Sequence, residues 1–226
     1  MSSFRNLFLC LSFLVCLIIP FGLSAQDIKI VDKPITYDSV RVNLTLQYLK
    51  ERHNINQSHV KIVPQMIVLH WTASKTMLSA FNTFNKPTLD SDRKAISGAS
   101  NLNVSSQFLI DRDGTIYRLM PEDSFARHVI GLNYCAIGVE NVGSDDFPLT
   151  DAQLLANERL VRYLSKKYPI QYLIGHYEYT QFKGSSLWKE TNPNYQTGKT
   201  DPGIDFMKKI RTKLNDLNVQ GPPIRK

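Results

Sequence analysis

The stretch GHYEYTQFKGSSLWKETNPNYQTGKTDPG, residues 175–203, lies between an apolar run and the last amphipathic segment of the chain. It begins with Gly175 and His176 and ends with Lys199, Thr200 and Asp201 before Pro202-Gly203. One segment therefore supplies an imidazole, a cation and a carboxylate. The polar residues between them have the period of neither a helix nor a strand, which predicts a loop.

Outward from this loop, apolar runs alternate with amphipathic segments. The runs predict buried strands at 66–69, 136–142 and 170–174, and a hairpin at 107–119 that turns at 111–114. Spacings of three and four predict helices within 40–53 and over 75–85, 150–168 and 203–217, with Thr72 or Ser74 capping the second; 86–103 reads as a surface loop. A hairpin combined with helix-crossed strands predicts an α/β fold: a mixed central β-sheet flanked by helices in a single domain.

The first 25 residues have the pattern of a secretory signal peptide. Arg5 precedes an apolar run at 7–19, and small residues favour cleavage after Ala25. The run is short for a membrane span, which needs about 20 residues, so a signal peptide is the better interpretation. Because this segment is then removed, we expect no stable membrane insertion of the remaining chain. Lipidation is the weaker alternative, because neither Cys10 nor Cys16 follows a small residue. The remaining chain divides into an extension with one helix (26–63), the main domain (64–217) and a tail (218–226).

Net charge and cysteine content limit the binding partners and the cellular locations that the sequence allows. The formal net charge is +7, and removing the signal with its single Arg leaves +6. No dense Lys/Arg cluster with interleaved aromatics occurs, so nucleic-acid binding is not expected; the charge suits an anionic wall polymer or a membrane surface. Cys135 is then the one remaining thiol and cannot form an internal disulfide. We therefore expect an exported bacterial protein of the periplasm or the extracellular space.

Two histidines follow apolar runs, where strand ends converge in open sheets. With Asp201, His70 and His176 make a two-histidine, one-carboxylate set, typical of a catalytic zinc that keeps a fourth position for water. Each histidine alone could be an ordinary strand-end residue. Asp201 before Pro202 also reads as a helix N-cap, so it is either a ligand, a cap or both. Glu140 lies in an apolar strand, where a carboxylate needs a partner or a task, and general base is the task that we assign.

Six segments now carry a family resemblance in order along residues 64–213. They are IVLHWTA (67–73), FLIDRDGTIY (108–117), ARH (126–128), AIGVE (136–140), IGH (174–176) and KTDPG (199–203). On these residues the chain resembles the zinc-dependent N-acetylmuramoyl-L-alanine amidases of the type-2 amidase and peptidoglycan recognition protein superfamily. The resemblance implies that fold for the main domain.

The resemblance also implies the chemistry. His70, His176 and Asp201 are the implied ligands of one Zn²⁺ per chain, with Glu140 as catalytic acid/base and Lys199 as charge stabiliser. The implied reaction is hydrolysis of the amide between N-acetylmuramic acid and L-alanine in peptidoglycan or muropeptides. The implied substrate-binding residues are Trp71, Arg127, His128 and Asn133, of which His128 is also the second-choice ligand.

Three departures from the family pattern concern substrate contacts. Gln107 stands where many relatives have His, and Arg127 where many have Trp. The loop at 177–198 is longer than in compact relatives and could form one wall of the groove. The rival from another class is a non-catalytic peptidoglycan-binding receptor of the same fold, which would lack a complete ligand set. A structural protein with a capped terminal helix is a third alternative.

Overall fold

The computed structural model describes residues 28–224. The predicted signal peptide, its cleavage site, Cys10 and Cys16 lie outside the described residues. No helix within 28–224 has the length and apolar character needed to cross a membrane.

A six-stranded sheet forms the centre of the protein, with strands in the order β1-β4-β3-β5-β2-β6. All neighbouring strands run parallel except β3 and β4, which form the predicted hairpin. The mixed sheet confirms the predicted α/β class. The strands are β1 (Ile30–Asp32), β2 (Met66–Trp71), β3 (Phe108–Ile110), β4 (Ile116–Arg118), β5 (Ala136–Asn141) and β6 (Tyr172–Gly175).

Helices cover both faces of this sheet. They are α1 (Ser39–His53), α2 (Met77–Asn85), α3 (Lys94–Ser97), α4 (Asp151–Lys167) and α5 (Ile204–Lys213), and a 3₁₀ helix spans His176–Phe182. Alternate residues of β2 enter different cores: Ile67 and Leu69 pack with α4 and α5, whereas Met66 and Val68 pack with the 3₁₀ helix. A strand covered on both faces has the continuous apolar run from which β2 was predicted.

One predicted N-cap is wrong, and one of the two roles considered for Asp201 is excluded. The N-cap of α2 is Thr76, whose hydroxyl accepts a hydrogen bond from Ser79 N, and not Thr72 or Ser74. The N-cap of α5 is Gly203, so Asp201 does not cap that helix. The physical reason is that the Asp201 carboxylate faces two histidines instead of the first turn of α5.

Three elements were missed by the sequence patterns. β1 is a three-residue edge strand beside β4, too short to show a period. α3 lies inside the predicted loop 86–103, and the 3₁₀ helix occupies the start of the predicted loop 177–198. In the 3₁₀ helix, the Glu178 carboxylate accepts a 2.8 Å hydrogen bond from Gly175 N and pairs with Arg211 of α5, a partner distant in sequence.

The extension contains the predicted helix and packs on the sheet domain. Tyr48 and Leu49 of α1 are buried with Leu102 and Phe125. Arg41, also buried, donates to the carbonyl oxygens of Phe84 at 2.8 Å and Lys86 at 2.7 Å. The extension therefore covers the end of α2 and the loop that follows it.

Candidate active site

Adjacent parallel strands bring the predicted site residues to one edge of the sheet. His70 of β2 is the register partner of Glu140 on β5, and β6 on the other side of β2 leads directly into His176. Asp201 joins them from the loop before α5, where its carbonyl accepts a 3.1 Å hydrogen bond from Tyr177 N. This is the carboxyl edge of the parallel strands, where sites gather in such sheets.

Three ligand atoms converge at this edge. His70 Nδ1 lies 2.9 Å from His176 Nδ1 and 3.2 Å from Asp201 Oδ2, and His176 Nδ1 lies 3.0 Å from Asp201 Oδ2. Four ligands placed tetrahedrally around zinc at about 2.1 Å lie roughly 3.4 Å apart, close to these separations. All three residues are buried, and they form a group that could hold a metal ion. The donor set and its spacing fit the zinc that the resemblance implies.

Burial and proximity govern protonation in this cluster. Burial, and after it the neighbouring His70, lowers the pKa of His176 to about 4, with Asp201 opposing the shift. Burial alone raises the pKa of Asp201, but its contacts with His176 and His70 outweigh burial and hold this pKa below its ordinary value. A neutral imidazole and an ionised carboxylate are the forms that bind a metal cation.

His128 lies behind His70 and orients it. His128 Nε2 is 3.2 Å from the carbonyl oxygen of Ala136, so this nitrogen carries the proton and Nδ1 accepts. His70 Nε2, 3.0 Å from His128 Nδ1, therefore donates, which leaves the lone pair of His70 Nδ1 facing His176 and Asp201. Both nitrogens of His128 are thus engaged within the protein. A Cβ at Gly138 would lie 2.8 Å from the His128 ring, so this strand position needs glycine.

One oxygen of the Glu140 carboxyl group has no hydrogen-bond partner within residues 28–224. The residue is 9 % exposed, and the oxygen without a partner is Oε2. Burial raises the pKa of Glu140 well above the usual value, the charge of Asp201 adds to this, and Lys199 and Arg93 oppose it. A buried carboxyl group with a raised pKa is suited to taking up and releasing a proton during a reaction.

One cavity of about 620 Å³ is lined by every residue predicted for the site, namely His70, Trp71, Arg127, His128, Asn133, Glu140, His176, Lys199 and Asp201. Lys199 is exposed and forms no salt bridge within the described chain. Its charge is therefore available to a bound molecule.

Two of the predicted substrate-binding residues also shape the cavity wall. Arg127 is 3 % exposed, and its guanidinium donates to the carbonyl oxygens of Ile96, Ser100 and Leu102. Asn133 Oδ1 accepts hydrogen bonds from the backbone N–H groups of His128 and Val129, at 2.8 and 2.7 Å. Asn133 Nδ2 has no partner within 28–224 and remains able to donate.

The sequence patterns missed other lining residues. Arg93 and Lys94 at the start of α3 line the cavity, as do Tyr195 and Thr197 from the long loop. Both segments are polar and without period, so nothing local indicated that they reach the site. Glu178 does not line the cavity but supports the turn that carries His176, and it could have been found, because it follows Gly175 by the three residues typical of a capping interaction.

This sheet, with its histidine and aspartate cluster at one edge, is the fold of the type-2 amidase and peptidoglycan recognition protein superfamily. A profile of the family described as N-acetylmuramoyl-L-alanine amidase matches residues 58–204. The chain belongs to this family. No curated protein matches the sequence significantly.

Solved structures to which this chain is similar include amidases and a peptidoglycan recognition protein. A selenomethionine derivative of AmpD is 21% identical over 84% of this chain and 96% of its own, with a TM-score of 0.51. The amidase LysC from Clostridium intestinale is 24% identical over 85% and 99%, with a TM-score of 0.49. Peptidoglycan recognition protein LE, in complex with tracheal cytotoxin, is 16% identical over 74% and 89%, with a TM-score of 0.47.

Proposed function

We propose that this protein hydrolyses the amide bond between N-acetylmuramic acid and L-alanine in peptidoglycan or its fragments, with one zinc ion held by His70, His176 and Asp201. The observation that carries the proposal is the buried Glu140, whose Oε2 has no hydrogen-bond partner in the described part of the chain, in the same cavity as a complete ligand set. Membership in the amidase family supports the bond that is cleaved.

Zinc at this site would supply a Lewis acid for the substrate carbonyl and lower the pKa of a water molecule towards about 7. The chain prepares the site by holding the donor atoms together before the metal arrives. His128 contributes by fixing the tautomer of His70, so that the unprotonated nitrogen faces the metal position.

Glu140 moves the protons of the reaction. Its carboxylate accepts a proton from the attacking water and then delivers it to the nitrogen of L-alanine, which leaves as the amine. The bond from the water oxygen to the lactyl carbonyl carbon forms first, and the bond between this carbon and the nitrogen breaks when Glu140 delivers the proton to the nitrogen. The raised pKa of Glu140 favours its holding the proton between the two transfers.

Lys199 stabilises the negative charge that develops on the carbonyl oxygen. Its ammonium group lines the cavity and forms no salt bridge within the described chain that would compete for it. Loss of one such donor typically lowers kcat by roughly 100- to 1,000-fold.

The proposal is tested with Glu140→Gln, which keeps the size of the side chain and removes its basicity. We expect about one zinc per chain and a fall in turnover of roughly 100- to 10,000-fold, the usual contribution of a general acid–base. Metal analysis and mass spectrometry of products from a defined muropeptide measure both. Glu158→Gln on the outer part of α4 is the matched control.

Two outcomes would contradict the proposal. Turnover retained by Glu140→Gln would remove this residue from the role of base. A wild-type protein that binds muropeptides without zinc and without turnover would instead be the non-catalytic receptor.

A further inference from the structure

The C-terminal end of α1 is joined to the long loop at 183–198, here called the wall loop. Arg52 Nη2 lies 2.5 Å from Glu190 Oε1, and the Glu190 side chain is fully shielded from solvent. His53 Nδ1 lies 3.1 Å from the carbonyl oxygen of Lys189. Thr191 donates from its backbone nitrogen to the Arg52 carbonyl at 3.0 Å and from its hydroxyl to the Glu51 carbonyl at 2.8 Å. Consecutive residues of the wall loop are thus held by the last turn of one helix.

The anchored part of the wall loop presents Tyr195 to the cavity. The guanidinium of Arg52 lies over the Tyr195 ring, 4.7 Å from its centroid. Arg127 Nη2 donates to the Tyr195 hydroxyl at 3.1 Å and to the Ile96 carbonyl of α3 at 2.7 Å. The ring is therefore held by two arginines, one from α1 and one from the cavity wall.

Some of the residues that make these contacts lie outside the range matched by the family profile. The family profile begins at residue 58, so Glu51, Arg52 and His53 precede it. The reaction assigned to Glu140, Lys199 and the metal ligands uses neither α1 nor Tyr195. The arrangement nevertheless orders a tyrosine in the same cavity as His70 and Glu140.

We propose that Tyr195 is a substrate-contact residue for muropeptides and that α1 is its positioning element, acting through Arg52 and its ion pair with Glu190. This inference rests on the proposed function for the identity of the substrate. Because Arg52 touches Tyr195 and not the metal ligands, it affects substrate binding more than the chemical step.

A double-mutant cycle between Arg52 and Tyr195 tests this proposal. We expect Tyr195→Ala to raise KM for a defined muropeptide about three- to tenfold, the range for loss of one aromatic contact, with kcat within about twofold of wild type and zinc content unchanged. Arg52→Ala should raise KM in the same direction and add nothing in the Tyr195→Ala background, since it acts through that ring.

Asp32→Asn is the matched control. It removes another ion pair of the extension, to Arg118 on β4, at a place that does not line the cavity. We expect it to leave KM unchanged. If Arg52→Ala does not fold, Arg52→Lys takes its place, because lysine keeps the charge for Glu190 but lacks the planar group over the ring.

The outcomes separate this inference from the proposed function. If the wild-type protein turns over the muropeptide and Tyr195→Ala leaves KM unchanged, the inference is overturned and the amidase proposal stands. The same conclusion follows if the two substitutions have independent effects on KM. Absence of wild-type turnover would overturn the amidase proposal. The same cycle, measured as Kd for the muropeptide, would then test Tyr195 and Arg52.

Discussion

A hydrogen bond to a backbone carbonyl group fixes which ring nitrogen carries the proton in each of two buried histidines. His128 binds the Ala136 carbonyl with one ring nitrogen and thereby leaves the other to accept from His70. The second buried histidine is His53, at the C-terminal end of α1. It is packed among Tyr48, Phe125 and Tyr134. Its Nδ1 donates to the Lys189 carbonyl, and its Nε2 has no partner within 28–224.

This environment makes His53 a source of pH-dependent stability. Burial lowers its pKa to about 4, with the hydrogen bond to Lys189 opposing the shift and the charges of Arg52 and Lys189 adding to it. In the unfolded chain the pKa is about 6.5. The unfolded state therefore binds the extra proton between these values, so stability present above pH 6.5 is lost as pH falls towards 4.

We expect His53→Gln to reduce this pH dependence. The free energy of unfolding of the wild type should fall between pH 7 and pH 4.5 by about 2–3 kcal/mol more than that of the variant. Urea unfolding at the two pH values measures the difference. His59→Gln, which changes an exposed histidine, should behave as wild type; equal pH dependence in wild type and His53→Gln would contradict the assignment.

At the scale of elements, the residues that form the site and connect the helices to the sheet lie at the ends of strands and helices. β2, β5 and β6 run parallel, so His70, Glu140 and His176 reach the same edge. α4 is tied to neighbouring strands at its start: the Gln153 amide donates to the carbonyl oxygens of Ile110, at the end of β3, and Val142, just after β5. Gln153 is also the partner of Thr150 in the capping box of α4.

We expect Thr150→Ala to destabilise the protein by about 0.5–2 kcal/mol, the usual range for loss of an N-cap. The Thr150 hydroxyl accepts from Gln153 N at 3.1 Å and donates to the Arg112 carbonyl at 2.7 Å, and both bonds are lost. Urea unfolding should show a lower midpoint with an unchanged m value. Thr150→Ser keeps the hydroxyl and should recover most of the stability; a serine variant as unstable as alanine would show that the cap is not the cause.

At the scale of the whole molecule, the candidate metal site joins parts of the chain that are distant in sequence. His70 lies 106 residues before His176 and 131 residues before Asp201. An ion bound by all three links β2, the 3₁₀ helix and the segment leading to α5. Because the unfolded chain lacks this arrangement, binding of the ion stabilises the fold.

We therefore expect removal of zinc by a chelator to lower the Tm, and re-addition to restore it. At a free zinc concentration 100-fold above Kd, the stabilisation is about 2.7 kcal/mol. Thermal unfolding with chelator and with added zinc measures the shift. His176→Ala should lose the shift and His59→Ala should keep it; an equal shift in His176→Ala would place zinc elsewhere.

Much of the fold could be predicted because its signals are local. β2 and β5 are continuous apolar runs, α4 has the helical period of a half-buried helix, and the 111–114 turn joins β3 to β4 within one hairpin. The site residues were predicted from a residue set typical of zinc chemistry and from the family resemblance, and all of them line one cavity. β1, α3 and the 3₁₀ helix had no such local pattern.

The sequence by itself determined the apolar strands, the main helices and the types of residue that carry the candidate chemistry, because periodicity and donor chemistry are properties of short segments. Only the tertiary structure decided how the three candidate ligand atoms come together and that His128 hydrogen-bonds to His70. It also decided that Gly203, and not Asp201, is the N-cap of α5. It further decided that α1 holds Tyr195 through Arg52, a contact across 143 residues. Contacts of this kind depend on packing between distant segments, and no local pattern of residues encodes them.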